Sequence, residues 1–148
     1  MNKLTIEHLA PYLPYATRVC IGKTERNLTA ISLDSPFVFV SAWKGSREKE
    51  MVSIDDIKPI LRPLSDLTKE IDHHGERFVP KNRIDQYTQV GGDGKLYLLV
   101  DGAHWSCNAL SWDYSTVVKL ISWHFDVFEL IDKGLAVDIN TLGKEINL

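Results

Sequence analysis

The stretch LVDGAHWSC (residues 99–107) holds several side chains capable of chemistry within a few positions of one another. Asp101, His104 and Cys107 are residue types that ligate metal ions, and a cysteine near a histidine can also form a nucleophile with its base. The pair Asp101–Gly102 is equally a strong short-range signal for a β-hairpin turn. The choice between these interpretations depends on where a hairpin would point the side chains.

A two-residue turn at Asp101–Gly102 fixes the register of the two strands that flank it. Because side chains alternate along a strand, His104 and Cys107 point to opposite faces in this register. The six residues on the face that includes Cys107 in this register are apolar or nearly so, which supports the register. Its cross-strand pairs are Val100–Ala103, Leu98–Trp105 and Leu96–Cys107. The pattern predicts a hairpin with Cys107 packed as a small apolar side chain, rather than a metal site.

The two adjacent histidines of DHHGE (residues 72–76) raise the metal question again, because acidic residues flank them. The preceding DLTKEID (66–72) predicts a short helix that Gly75 ends. Adjacent side chains diverge on a helix, and histidine near a helix C-terminus is favourable without any ligand. We therefore predict structural roles for His73 and His74.

The clearest single pattern predicts a long, buried C-terminal helix over residues 113–134. Polar residues recur there at spacings of three and four, which places them on one solvated stripe of the helix. Asp126 and Glu129 belong to that stripe. His124 lies among apolar side chains with no carboxylate three or four positions away, so we predict a packed histidine rather than a catalytic base.

The loop WKGSR (residues 43–47) is the remaining candidate for ligand binding. Trp43, Lys44 and Arg47 surround a glycine and could stack on a ligand and hold an anionic group. The alternative, which the sequence favours, is a tryptophan packed in the core at the end of a strand, followed by a solvated charged loop.

The order of the other elements indicates an α+β fold. The segments 17–22, 28–33 and 37–43 are rich in β-branched and aromatic residues, which predicts strands. Together with a tight turn at 53–57, they favour an N-terminal antiparallel sheet or a small SH3-like barrel. A three-stranded β-meander is predicted around 86–109. We expect one domain over residues 1–148, with possible sub-lobes 1–64 (β-rich) and 65–148 (α+β).

Composition and charge narrow the function classes. The two cysteines, Cys20 and Cys107, are too few for a disulfide framework and fit a reducing cytoplasm. No signal peptide or run of about 18 apolar residues is evident, so we expect a cytoplasmic protein without a membrane partner. The net charge is −3, and residues 91–148 carry twice as many acidic as basic side chains, which makes nucleic-acid binding unlikely.

Three long phrases of the sequence resemble those of a known group of proteins. They are LTIEHLAPYLP (4–14), IKPILRPLSDLTKEI (57–71) and WHFDVFELIDKGLAVDINTL (123–142), with GERFVP (75–80) between the last two. The group consists of small uncharacterised proteins encoded by gut bacteria and their prophages. The resemblance implies a bacterial or phage origin, and it carries no activity, cofactor or catalytic residue with it.

Three functions remain open from the sequence. We predict a non-enzymatic protein-interaction module of phage or mobile-element origin, which binds a host protein or associates with itself. The first alternative is a protein that binds a nucleotide or a short single-stranded nucleic acid through Trp43, Lys44 and Arg47. The second is a small metal-dependent hydrolase that uses His73, His74 or His104. No catalytic residue, metal ligand or cofactor is assigned, because the imidazoles are predicted to point to different sides of sheet and helix.

Overall fold

The structure is a computed structural model that describes residues 3–43, 46–84, 87–100 and 102–142. The chain divides into two compact units. The first unit comprises Met1–Leu61 and Glu129–Leu148, and the second comprises Arg62–Phe128. The expectation that the whole chain is one domain stays a prediction.

Short strands make up most of the regular structure. The helices are α1 (Ile6–Leu9) and α2 (Tyr114–Ser122). The strands are β1 (Arg18–Ile21), β2 (Thr24–Ile31), β3 (Phe37–Ser41), β4 (Lys49–Ser53), β5 (Lys58–Leu61), β6 (Ile71–His73), β7 (Glu76–Phe78), β8 (Thr88–Val90), β9 (Leu96–Val100), β10 (His104–Ser106) and β11 (Val137–Asp138). None of the helices in the described part of the chain is long and apolar enough to cross a membrane.

The first unit is built on a six-stranded sheet in the order β11-β5-β1-β2-β3-β4. All neighbouring strands are antiparallel except β11 and β5, which are parallel. The predicted N-terminal antiparallel sheet is therefore confirmed. The predicted SH3-like barrel is not closed, because β4 and the two-residue β11 are the two edges of the sheet and do not pair with each other.

Alternating side chains of the sheet form the core of the first unit. Val38 and Val40 of β3 are fully buried, together with Val19 of β1. Burial of an aliphatic side chain of this size contributes about 1.5–3 kcal/mol. The predicted tight turn after β4 is a 3-10 helix, Ile54–Asp56, in which the hydroxyl of Ser53 accepts a hydrogen bond from the Asp55 N–H (3.2 Å).

The second unit contains the predicted β-meander and a hairpin that the sequence pattern missed. The meander has the order β10-β9-β8, which confirms the prediction for this region. The helix predicted over 66–72 is wrong, because a 3-10 helix over Leu64–Thr68 leads directly into the antiparallel hairpin of β6 and β7. The histidines at 73 and 74 consequently lie in a hairpin rather than at a helix end.

The prediction of a long C-terminal helix over residues 113–134 is also wrong, because α2 ends at Ser122. His124 adopts a left-handed backbone conformation with φ of 64°. The Phe125 N–H then donates to the Leu120 carbonyl (2.9 Å) and the His124 N–H to the Ile121 carbonyl (2.9 Å). These two bonds form a Schellman motif, which terminates a helix.

A backbone ladder beyond α2 explains why the helix does not continue. The Arg62 N–H donates to the His124 carbonyl (2.7 Å), and the Asp126 N–H donates to the Arg62 carbonyl (2.9 Å). Asp126 is consequently buried, not on a solvated stripe as its spacing predicted. The tertiary pairing with Arg62 therefore outweighs the helical periodicity of residues 123–134.

Candidate functional site

The predicted ligand-binding residues belong to the loop between β3 and β4. Trp43 is 57% exposed, and Arg47 is exposed just before β4 begins. Lys44 lies outside the described residues. The expectation that Trp43 packs in the core is therefore wrong, whereas a binding role for these three residues stays a prediction.

The β9–β10 hairpin differs from its predicted register by one residue. Its cross-strand pairs are His104–Val100, Trp105–Leu99 and Ser106–Leu98. The connection therefore spans residues 101–103, of which 101 lies outside the described residues. A shift of one residue exchanges the two faces of a strand, and for this reason Trp105 is 43% exposed instead of packing against the fully buried Leu98.

Cys107 is half-buried and takes part in a polar group with Tyr97 and Asp93, so it is not a core side chain. The Tyr97 hydroxyl donates to Oδ2 of Asp93 (2.6 Å). This bond, with smaller contributions from burial and from Cys107, raises the pKa of Tyr97 to about 12. A tyrosine with so high a pKa is protonated at neutral pH and does not serve as a base there.

Three histidines meet in the second unit, contrary to the prediction that the imidazoles are scattered. The ring centroids of His73 and His74 are 4.0 Å apart, and those of His73 and His124 are 5.5 Å apart. Both contacts are edge-to-face. His104, the fourth candidate, is on β10 and is exposed. The chain folding that ends α2 early is what brings His124 to the β6–β7 hairpin.

The backbone of this histidine cluster (His73, His74 and His124) is strained. His74 and Gly75 connect β6 to β7 with φ of 54° and 82°, the signs that a two-residue type I′ turn requires. His124 is left-handed as well, with φ of 64°. Non-glycine residues in this region cost of order 1–3 kcal/mol and persist only where surrounding contacts impose them.

The buried Arg62 supplies such contacts. Its Nε donates to the Trp123 carbonyl (3.0 Å), and its Nη2 donates to the Asp72 carbonyl (2.9 Å). The guanidinium therefore ties the residue before His73 to the residue before His124. Arginine suits this task because its planar fork of donors reaches two acceptors at once and stays charged at any pH.

The second connection between the hairpin and the end of α2 is aromatic. The rings of Phe78 and Trp123 are 5.2 Å apart, and the guanidinium of Arg83 lies 3.8 Å from the centre of the Phe78 ring. Arg83 also binds both carboxylate oxygens of Glu76, at 2.9 and 2.7 Å. The carboxylate of Glu76, two residues after His74, is thus bound by an arginine.

The histidine cluster is poorly suited to carry positive charge. The pKa of His73 is lowered to about 4, chiefly by burial and then by the imidazoles of His74 and His124 and by Arg62; Glu76 opposes the shift. At neutral pH His73 is therefore an uncharged imidazole. A base with this pKa is too weak to accept a proton efficiently at pH 7.

A metal centre is not favoured by the donor set. Within the four described ranges, no group of three or more His, Cys, Asp or Glu side chains is arranged so that it could hold a metal ion. Zinc sites in proteins usually have three or four protein ligands. The arrangement instead suits a polar contact that joins a hairpin to the segment after a helix.

The other notable surface is the open edge of the first unit, β4. Among the described strands, none pairs with β4 on the side away from β3. Hydrogen bonds at the two ends of the β3–β4 ladder fix its alternation: the Ala42 N–H donates to the Glu48 carbonyl (2.8 Å) and the Ile54 N–H to the Pro36 carbonyl (2.8 Å). Even-numbered residues therefore bond inward, and the N–H and C=O groups of residues 49, 51 and 53 point outward.

An apolar surface lies beside this edge. Phe39 and Met51 are directly opposite each other on β3 and β4, and Phe37 is opposite Ser53. Met51 is 58% exposed and Phe37 is 37% exposed. We call the outward backbone groups of β4 together with Phe37, Phe39 and Met51 the β4 surface.

Comparison of the chain with protein-family models, with curated proteins and with solved structures finds no significant match. The candidate sites therefore rest on geometry alone. The sequence predicted neither the histidine cluster nor the β4 surface. Residues 72–76 were predicted to form the end of a helix, and no strand was predicted at β4.

Proposed function

We propose that the chain is a non-enzymatic protein-interaction module of phage or mobile-element origin, and that the β4 surface binds its protein partner. The resemblance of residues 4–14, 57–71 and 123–142 to prophage-encoded proteins supports the origin. The observation that supports the surface is the combination of an unpaired edge strand with exposed apolar side chains beside it. An extended segment added to such an edge gains backbone hydrogen bonds, and its alternate side chains supply the specificity.

The strand β4 has few of the features that prevent edge pairing. Proline and bulges protect many edge strands, but β4 reads Lys-Glu-Met-Val-Ser, and the register irregularity of the sheet is on β2. Glu50, one of its two charged residues, is paired with Arg26 at 3.1 Å. Lys49 is at the beginning of the strand, so the centre at Met51 is open.

The surface can be tested with a pull-down from bacterial lysate that compares wild type with Met51→Lys. The lysine places a charge among the apolar side chains, and because Met51 is exposed the fold should be kept. We expect a protein that the wild type retains to be lost with Met51→Lys and kept with Val90→Lys, a matched change at an exposed residue of β8. A partner retained equally by both variants would contradict the proposal.

A second candidate function has one observation in its favour, the exposure of Trp43. Trp43, Lys44 and Arg47 would stack on and neutralise a nucleotide or a short single-stranded nucleic acid. A thermal-shift series with nucleotides tests it: stabilisation should rise with ligand concentration and disappear in Trp43→Ala, but remain in Trp105→Ala. A melting temperature independent of nucleotide concentration would eliminate this function.

A further inference from the structure

We propose that the occupant of the β4 surface is a second copy of this chain, bound through antiparallel pairing of β4 with β4 of that copy. This inference rests on the proposed function and names the partner. It follows from which backbone groups of β4 the described strands leave unpaired and from the sequence of the strand.

The alternation of β4 restricts the possible registers. Only residues 49, 51 and 53 have outward N–H and C=O groups, so hydrogen-bonded pairs across a two-fold axis must join these residues to one another. One register uses all of them: Met51 pairs with Met51 of the second copy, and Lys49 pairs with Ser53. This arrangement is isologous, because each copy presents the same surface to the other.

The side chains favour this register over its neighbours. A shift by one pair toward the N-terminus places Glu50 opposite Glu50 of the second copy, and like charges directly opposite each other are destabilising. A shift toward the C-terminus leaves Lys49 without a pairing partner and forms fewer backbone hydrogen bonds. In the proposed register Glu50 is opposite Val52, and no two like charges face each other.

The apolar part of the surface becomes continuous in the same register. Phe39 is opposite Met51 within one copy, so the pairing creates a row of Phe39, Met51, Met51 and Phe39 across the two copies. Burying the 58% of Met51 that is exposed adds an apolar contribution that the backbone hydrogen bonds alone do not give. The two six-stranded sheets would join into one.

Cysteine cross-linking tests both the identity of the partner as a second copy and the register of the two β4 strands. In a background without Cys20 and Cys107, Met51→Cys places two thiols opposite each other at a Cα separation of about 5.5 Å, which a disulfide can span. Lys49→Cys is the matched control, because Lys49 is on the same face and is exposed. In this register, however, the two Lys49 residues of the pair of copies are roughly four residues, or about 14 Å, apart. Under mild oxidation we expect a covalent dimer from Met51→Cys and not from Lys49→Cys.

Sedimentation of the uncross-linked protein completes the test. Wild type should reach twice the chain mass of 16.8 kDa with increasing concentration, while Met51→Lys should remain a monomer with an unchanged circular dichroism spectrum. A wild type that stays monomeric, a dimer unaffected by Met51→Lys, or cross-linking through Lys49→Cys alone would overturn the inference. If the wild type is monomeric but retains a lysate protein in a Met51-dependent manner, the second copy is excluded as partner and the proposed function stands.

Discussion

At the scale of single residues, His74 and His124 combine a left-handed backbone with a place in the histidine cluster. His74 occupies the first position of a type I′ turn, where asparagine followed by glycine is the preferred pair. Histidine tolerates this conformation less well than asparagine, although better than most residues. The ring of His74 is in edge-to-face contact with that of His73, and this contact favours histidine at a position where the turn favours asparagine.

Replacing His74 tests this balance. We expect His74→Asn to raise the free energy of unfolding by about 0.5 kcal/mol, because the Asn-Gly pair suits the turn and the loss of one imidazole contact is small. Gly75→Ala is the contrasting change: at φ of 82° an alanine should lower the free energy of unfolding by about 1–2 kcal/mol. Urea denaturation measures both. Destabilisation by His74→Asn would mean that the ring contact outweighs the turn preference.

The pair Tyr97–Asp93 gives a residue-scale prediction that needs no stability measurement. The hydrogen bond to Asp93 is the largest cause of the raised pKa of Tyr97, about 12 against an ordinary 10. Asp93→Asn removes the negative charge that disfavours tyrosinate, so one tyrosine should titrate closer to pH 10 in the variant. Ultraviolet absorbance against pH follows the ionisation. Identical titration curves for wild type and Asp93→Asn would rule out the bond in solution.

At the scale of elements, the β6–β7 hairpin and the end of α2 depend on each other. Arg62 and the Phe78–Trp123 contact join them, and the histidine cluster lies between. Burial, His74, His124 and Arg62 oppose the protonation of His73, and Glu76, which is already bound to Arg83, favours it. Acid should therefore weaken the contact between the β6–β7 hairpin and the end of α2.

The sign of the pH dependence follows from the lowered pKa of His73. The unfolded chain binds a proton at this residue near pH 6.5, whereas the folded chain binds it only near pH 4. The free energy of unfolding should therefore fall as the pH drops from about 6.5 to 4, and the His73 contribution should be constant above that window. Because His73 is partly exposed, we expect a loss of about 1–2 kcal/mol after allowance for solvent screening.

His73→Gln isolates this contribution. The variant cannot titrate at this position, so its free energy of unfolding should decrease less than that of the wild type between pH 7 and pH 4. His104→Gln, at an exposed histidine outside the cluster, is the matched control. Denaturant titrations at several pH values make the comparison. Parallel curves for wild type and His73→Gln would show that the cluster is not acid-sensitive.

The sequence predicted the elements that depend on local patterns, and it did not predict those that depend on contacts between distant segments. β1, β2 and β3 and the meander followed from β-branched runs and turn residues. The early end of α2 did not, because it depends on the bonds of Arg62 to residues 124 and 126. The sequence does contain a signal for the β6–β7 hairpin: a two-residue His-Gly turn would pair Ile71 with Phe78 and Asp72 with Arg77, as the structure does.

At the scale of the whole molecule, the chain is two units with different potential roles. The first unit presents the β4 surface, and the second contains the histidine cluster. The edge could not be predicted from the sequence, because which strands end a sheet depends on the order of all six strands. The net charge is only −3, and at physiological ionic strength repulsion between exposed charges of two copies is largely screened beyond about 8 Å.

Amide hydrogen exchange tests, residue by residue, whether β4 is an open edge that a partner strand covers. In dilute protein the N–H groups of Lys49, Met51 and Ser53 should exchange rapidly, while those of Glu50 and Val52, which bond to β3, should be protected. Raising the protein concentration should protect the three odd-numbered residues and leave the two even-numbered ones unchanged. Protection of the odd-numbered residues already in dilute protein, or rapid exchange at every concentration and with every partner, would show that β4 is not such an edge.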